Sequence, residues 1–316
     1  MANSYEFVPL DGDSRRQYIN ARDALAATRA AEQEALKLTG SLAWRVQNKR
    51  EYLIQVSTRG SQTSLGPRSA KTEAVHLEFH RRKAIVLERL AALRRKMQVH
   101  ARLNRAQNIA RADSMLVDVL NGFYLAGISD NIVVVDPNAL FCYETGAGVR
   151  IEYASPARQT GVIWNDCTQL TLTAPRDLLP SGLLSILTKI DKSFKLRNST
   201  EFHTAVNSNG YQVKLLRQTR SASDRHSRSE HDNDFWAIAD KNLSWLLRAP
   251  IFQSTVINKK GAMSQMTTLD PRAFALYWKW MSEHDGLDTS DRHHYAVLAA
   301  LLTDLIAQYL PQYRLD

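Results

Sequence analysis

The chain has 316 residues, 44% of them hydrophobic and 23% charged, a balance that suits one large core or two modest ones and argues against overall disorder. Its longest apolar runs, at 132–135 and 295–302, fall well short of the roughly 20 residues that cross a bilayer, so no membrane span is expected. The opening residues carry Glu6, Asp11 and Asp13 instead of a basic start followed by an apolar stretch; no secretory signal is visible, and a cytoplasmic location is expected. Cys142 and Cys167 are too few for a disulfide framework and have no close partner for a zinc knuckle. The net charge of +9 favours an anionic partner only if it is concentrated on one surface.

Residues 14–38 read as helix, with Tyr18, Ala21, Ala24 and Leu25 at three-to-four residue spacing. The alternation of Tyr52, Ile54 and Val56 predicts a strand within 44–56, and Gly60 and the Leu65-Gly66-Pro67 sequence break the chain after it. From Ser69 a helix is expected to about Ala112, because Pro and Gly are absent and Val86, Leu90, Leu93 and Met97 form one apolar stripe. Between Arg68 and Arg111 lie twelve Lys or Arg residues against three acids, so this helix holds the densest positive charge. It reads either as the solvated face of a packing helix or as a surface for nucleic acid or an acidic protein, with Arg81, Arg82, Lys83, Arg94, Arg95 and Lys96 as the candidate contacts.

A shorter helix over 113–125 leads into 132–135, a β-branched run that suits a buried strand. A helix start follows at 138–144 and a strand at 149–153. Strands are expected at 162–164 and around Leu170 and Leu172, and a helix at 183–190. Residues 202–206 and 211–216 make the clearest hairpin, since Asn209-Gly210 readily supplies positive φ. The polar stretch 219–234 reads as a loop, and helices are expected at 235–247, 271–282 and 291–310.

Four phrases in order carry a resemblance: Val135 to Glu144 (VDPNALFCYE), Ile186-Leu187 through Asp191-Lys192-Ser193-Phe194, Asn209 to Val213 (NGYQV), and Leu269 to Leu276 (LDPRAFAL). With Trp44, Tyr52-Leu53 and the sequence from Ser64 to Ser69 upstream, the chain from about 40 to 310 resembles the bacterial nucleotidyltransferase-like family. The resemblance implies an α+β fold: a nucleotidyltransferase-type mixed β-sheet core over 113–218, a helical N-terminal region over 1–112 with the long basic helix, a polar loop over 219–234, and a helical C-terminal region over 235–316. It also implies a site in which Gly followed by Ser or Thr opens a helix beside a triphosphate, while an Asp-x-Asp strand and a third Asp hold two Mg²⁺ ions.

This sequence departs from that pattern at each place. Asp136 stands where the Gly is expected, and Pro137, which has no N–H, where Ser or Thr is expected. Anchored on Trp164, Leu170 and Leu172, the Asp-x-Asp pair falls on Gln159 and Gly161, and on the hairpin strand after Gly210 and Tyr211 the third Asp falls on Lys214. A different register rescues one carboxylate, Asp166, and Tyr277-Trp278 replaces the family's His-Lys. The reading is a catalytically inactive nucleotidyltransferase-fold protein acting as a binding, scaffold or regulatory subunit, with no cofactor expected. Its partner is expected to be a protein, such as a related active subunit or a second copy, with nucleic acid as a further option through the basic helix, and no membrane. The alternative is a divergent Mg²⁺-dependent enzyme transferring NMP from NTP through Asp136, Glu144 or Asp166.

Other constellations are weaker. His226 and His231 lie in the polar loop without a rigid scaffold, and adjacent His293 and His294 point about 100° apart on a helix, so neither pair reads as a metal site. The aromatics of the last third, among them Trp236, Trp245, Phe252, Phe274, Tyr277, Trp278 and Trp280, suit core more than base stacking. Walker, nucleophile-elbow and zinc-protease motifs are missing, which removes the commonest rival enzyme classes.

Overall fold

A computed structural model of the chain describes residues 5–58, 60–153, 169–173, 182–197, 203–218, 238–240, 246 and 248–313. It divides into two compact units, one made of residues 1–15 with 104–316 and the other of residues 16–103. The predicted strand at 162–164, the polar loop, Gln159, Gly161 and Asp166 lie outside the described residues.

The unit at 16–103 is a helical hairpin tipped by a small sheet. Helix α1 (Gly12–Lys37) buries Tyr18, Ala21, Ala24, Leu25, Thr28 and Ala31, and helix α2 (Ala70–Ala106) buries Val86, Leu90 and His100. These positions recur at the 3.5-residue spacing of a coiled-coil seam. The helices run antiparallel: the amide of Gln17 meets His100 Nδ1 at 3.1 Å, while Glu34 and Glu32 farther along α1 pair with Arg89 at 3.8 Å and Arg94 at 3.0 Å. Between them lie β2 (Ser41–Gln47), β3 (Arg50–Val56) and β4 (Gln62–Pro67), an antiparallel three-stranded sheet.

This differs from the expected single strand over 44–56. Asn48 and Lys49, both at positive φ (49° and 65°), turn the chain into a two-residue hairpin, a conformation that Lys rarely signals in a sequence. The Leu65-Gly66-Pro67 sequence is no break either, because the strand continues to Pro67, whose missing N–H costs little at a strand end. Arg68 then closes this end by bridging Glu51 and Glu73, both at 2.6 Å, with its guanidinium 5.2 Å from the Trp44 ring centre.

The other unit is mixed α and β. Strand β1 (Tyr5–Pro9) pairs antiparallel with β6 (Val149–Tyr153). The main sheet has the order β5 (Val133–Val134), β7 (Gln169–Thr173), β10 (Gln212–Gln218), β9 (Thr204–Val206), β8 (Lys195–Leu196), and β11 (Ile238–Asp240) pairs with the far end of β10. Strand β7 lies parallel to β10, which is what sets their side chains in step. A hairpin of β12 (Ile251–Ile257) and β13 (Met263–Leu269) packs against α4 (Ala139–Ala147). Helices α3 (Ser114–Leu125), α5 (Leu183–Ile190), α6 (Pro271–Ser282) and α7 (Thr289–Tyr309) complete the unit.

The helix predicted over 235–247 is corrected in part. Ile238–Asp240 is a strand parallel to β10, because an unpaired strand edge outweighs weak local helix preference, and the rest of that stretch lies outside the described residues apart from Leu246. The core is filled by Trp278, Tyr143, Phe123 and Phe274, with the Tyr143 hydroxyl donating to the Leu269 carbonyl at 2.6 Å. Gly146 is required here: a Cβ at that position would lie 2.6 Å from the Phe252 ring. Asp270 and Asp288 cap α6 and α7, accepting from the backbone N–H of Arg272 and Asp291, and Pro271 opens α6 where its missing N–H is harmless.

Candidate functional site

A cavity of about 530 Å³ opens in the mixed unit between the main sheet and the last two helices. Its sheet side is formed by Val135, Asp136 and Pro137 after β5, Gln169 and Thr171 on β7, and Lys214 and Leu216 on β10. Its helix side is formed by Tyr277, Trp278 and Met281 on α6 and Ser290, Asp291, His294 and Tyr295 on α7. The register explains the convergence. Gln169 lies opposite Gln212 and Thr171 opposite Lys214, and side chains two apart on a strand share a face.

Asp136 sits at the turn between β5 and α4, where the sequence placed it beside an anion cradle. One oxygen accepts from the backbone N–H and the side-chain amide of Asn138, both at 2.9 Å, and the other accepts from the backbone N–H of Thr171. Burial pushes its pKa up to about 7 against these donors, which pull it down.

The start of α4 keeps no backbone donor for a ligand. Pro137 has no N–H, the Asn138 N–H is taken by Asp136, and the amides of Ala139, Leu140 and Phe141 bond back to the carbonyls of Asp136, Pro137 and Asn138 at 3.0, 3.0 and 3.1 Å. A phosphate group at a helix start depends on those same donors.

On the strands, the Gln169 amide donates to the Thr171 hydroxyl at 3.1 Å, and Lys214 forms no ion pair among the described residues. Among the described residues, the carboxylates lining the cavity are Asp136 and the exposed Asp291 of α7. Among the described residues no three His, Cys, Asp or Glu side chains gather into a metal-ligand set.

The other sequence candidates fall elsewhere. Glu144 points away from the cavity: its carboxylate accepts from the Ile151 N–H at 2.6 Å and lies 3.6 Å from Arg111. Burial raises its pKa to about 7 in spite of Arg111. On α2, Arg81 pairs with Glu78 at 2.9 Å, Arg94 with Glu32 at 3.0 Å, and the Lys83 ammonium donates to the Gly40 carbonyl at 2.5 Å. Arg82, Arg95 and Lys96 make no ion pair among the described residues. His294 and Tyr277, read from the sequence as ordinary side chains, both line the cavity. Gln169 and Thr171 went unremarked because neutral side chains on an alternating strand give no chemical signal. The period-two alternation with Leu170 and Leu172 was the available clue.

A strand–turn–helix and two parallel strands thus face one cavity. A family model described as Nucleotidyltransferase matches residues 114–316, well over half of the chain, and the protein belongs to that family. The match covers the cavity and leaves out the helical hairpin. No curated protein and no solved structure is significantly similar. No helix among the described residues is long and apolar enough to cross a membrane.

Proposed function

We propose that this chain uses its nucleotidyltransferase fold for binding rather than transfer, as a scaffold or regulatory subunit. The observation that carries the reading is the sheet side of the cavity, where Asp136, Gln169, Thr171 and Lys214 stand together. We assign the family's Asp-x-Asp positions to Gln169 and Thr171 on β7 in place of Gln159 and Gly161, because β7 is the strand in register with Lys214.

Two Mg²⁺ ions need hard oxygen ligands from two or three carboxylates. Here an amide and a hydroxyl take the paired positions, an ammonium takes the third, and both oxygens of Asp136 already accept N–H donors. The spent amides at the start of α4 fit a triphosphate equally badly. The described residues that line the cavity therefore do not suit Mg²⁺ and NTP. The binding role then falls to the cavity and to the basic helix α2, with a protein partner in the cytoplasm as the reading we favour.

The test is direct. Calorimetry with Mg²⁺ and each NTP, and a search for labelled nucleotide transferred to protein or RNA, should give no signal. Mg²⁺-dependent transfer that disappears in Asp136→Asn would sink the reading. The triple change Gln169→Asp, Thr171→Asp, Lys214→Asp should create Mg²⁺ binding in a chain that still shows native circular dichroism.

A further inference from the structure

Helix α2 has a second face that its partner helix does not use. With the seam to α1 passing through Val86, Leu90, Leu93, Met97 and His100, the rest of the helix surface carries both apolar and basic side chains. Among the apolar ones, Leu77, Ile85, Leu87 and Val99 are 70%, 53%, 49% and 51% exposed, and Ala84, Ala91 and Ala92 are exposed too. On a helical wheel Ile85, Ala92 and Val99 form one row that runs within a basic ridge, with Arg82, Arg89 and Lys96 on one side and Arg81, Arg95 and Arg102 on the other, all exposed. Beside Ile85 a depression of about 340 Å³ is lined by Val86, Arg81, Arg82, Arg89, Glu34 and Glu78 as well.

Isolated exposed leucines are ordinary, but Ile85, Ala92 and Val99 repeat every seven residues on one helix, which is the spacing a second helix reads. We propose that this face of α2 is a docking site for an acidic amphipathic helix of another protein, apolar residues lying on Ile85, Ala92 and Val99 and carboxylates facing Arg82, Arg95, Lys96 and Arg102. Charge complementarity selects this occupant. Nucleic acid would satisfy the arginines and leave the apolar row in water. A second copy of α2 would bring its own basic ridge against Glu88 alone, since Glu73 and Glu78 already bridge Arg68 and Arg81. The alanines between the bulkier residues let a helix backbone approach closely, whereas a lipid surface is better served by an unbroken row of large side chains.

The docking row and its flanking arginines lie on α2, outside the family match, so the site does not depend on whether the cavity is catalytic. The full chain is titrated into a fluorescein-labelled four-heptad peptide with Leu at the a and d positions and Glu at e and g, read by anisotropy. Controls are the same peptide with Lys for Glu, a labelled 20-base-pair duplex, and phosphatidylserine vesicles. Binding should be confined to the acidic peptide, fall about tenfold or more in Ile85→Asn/Val99→Asn, and lose part of its salt dependence in Arg95→Glu/Arg102→Glu. Circular dichroism checks that each variant stays helical. Equal affinity in the apolar variant, a preference for the duplex or the vesicles, or self-association abolished by Ile85→Asn/Val99→Asn would each overturn the proposal.

Discussion

The two units hold their shape by different means. The helical hairpin buries one narrow seam and leaves most side chains of α2 in water, so its order is local and repetitive. The mixed unit buries polar groups outright, including Asp136, Asn138, Glu144, Thr268 and Asp270, each held by partners distant in the fold or at a helix start. A seam tolerates adjustment, while a buried polar group left without its partner costs roughly 1–3 kcal/mol.

Removing one large side chain from each core gives the widest separation. Trp278→Ala should cost about 3–5 kcal/mol by urea denaturation, because Trp278 is fully enclosed. Leu90→Ala should cost about 2 kcal/mol, at the bottom of the core range, since a two-helix seam can close over the gap. Equal losses would remove the contrast.

A methyl group at Gly146 comes next. Gly146→Ala drives a Cβ to 2.6 Å from the Phe252 ring and should cost about 1–3 kcal/mol, lowering the melting temperature with no change in helix content. A neutral result would mean that the ring shifts freely and that the close packing of α4 on β12 is looser than its geometry.

Acidity separates the units again. Asp136 and Glu144 have folded pKa values raised to about 7 from 3.8 and 4.5. Between about pH 4 and 7 the folded chain holds protons that the unfolded chain has released. Their contribution is therefore greatest at the acid end and is lost as pH rises towards 7, at roughly 1 kcal/mol per pH unit for each group. Urea midpoints from pH 4.5 to 7.5 should show this fall in the wild type and a flatter profile in Asp136→Asn. The smallest effect is at a helix start, where Asp288→Ala should cost about 1 kcal/mol through loss of the N-cap of α7.

Legibility followed the same division. The seam residues Val86 and Leu90, the alternation of Leu170 and Leu172, and the Asn209-Gly210 turn are local signals, and each led to the element found. The hairpin at β12 and β13 escaped notice because Thr255, Ser264 and Thr268 are buried with the apolar residues, so polar side chains do not mark an outer face. β1 was missed for want of a local reason: its partner lies some 140 residues away on β6. In the site, Asp136, Pro137 and Lys214 could be found because they break the order of residues that the family resemblance implies. Gln169 and Thr171 could not, since their meaning comes from standing in register with Lys214.

The pairing of β1 with β6 has one more effect. It ties the first residues into the mixed unit before α1 leaves, the Tyr5 hydroxyl donates to Asp304 at 2.6 Å on α7, and Asn104 re-enters that unit with its amide on the Gly261 carbonyl at 3.2 Å. The hairpin is thus an insertion whose two chain ends both start from the mixed unit. Trimming residues 5–9 would strip β6 of its strand partner and the Asp304 carboxylate of the Tyr5 hydroxyl.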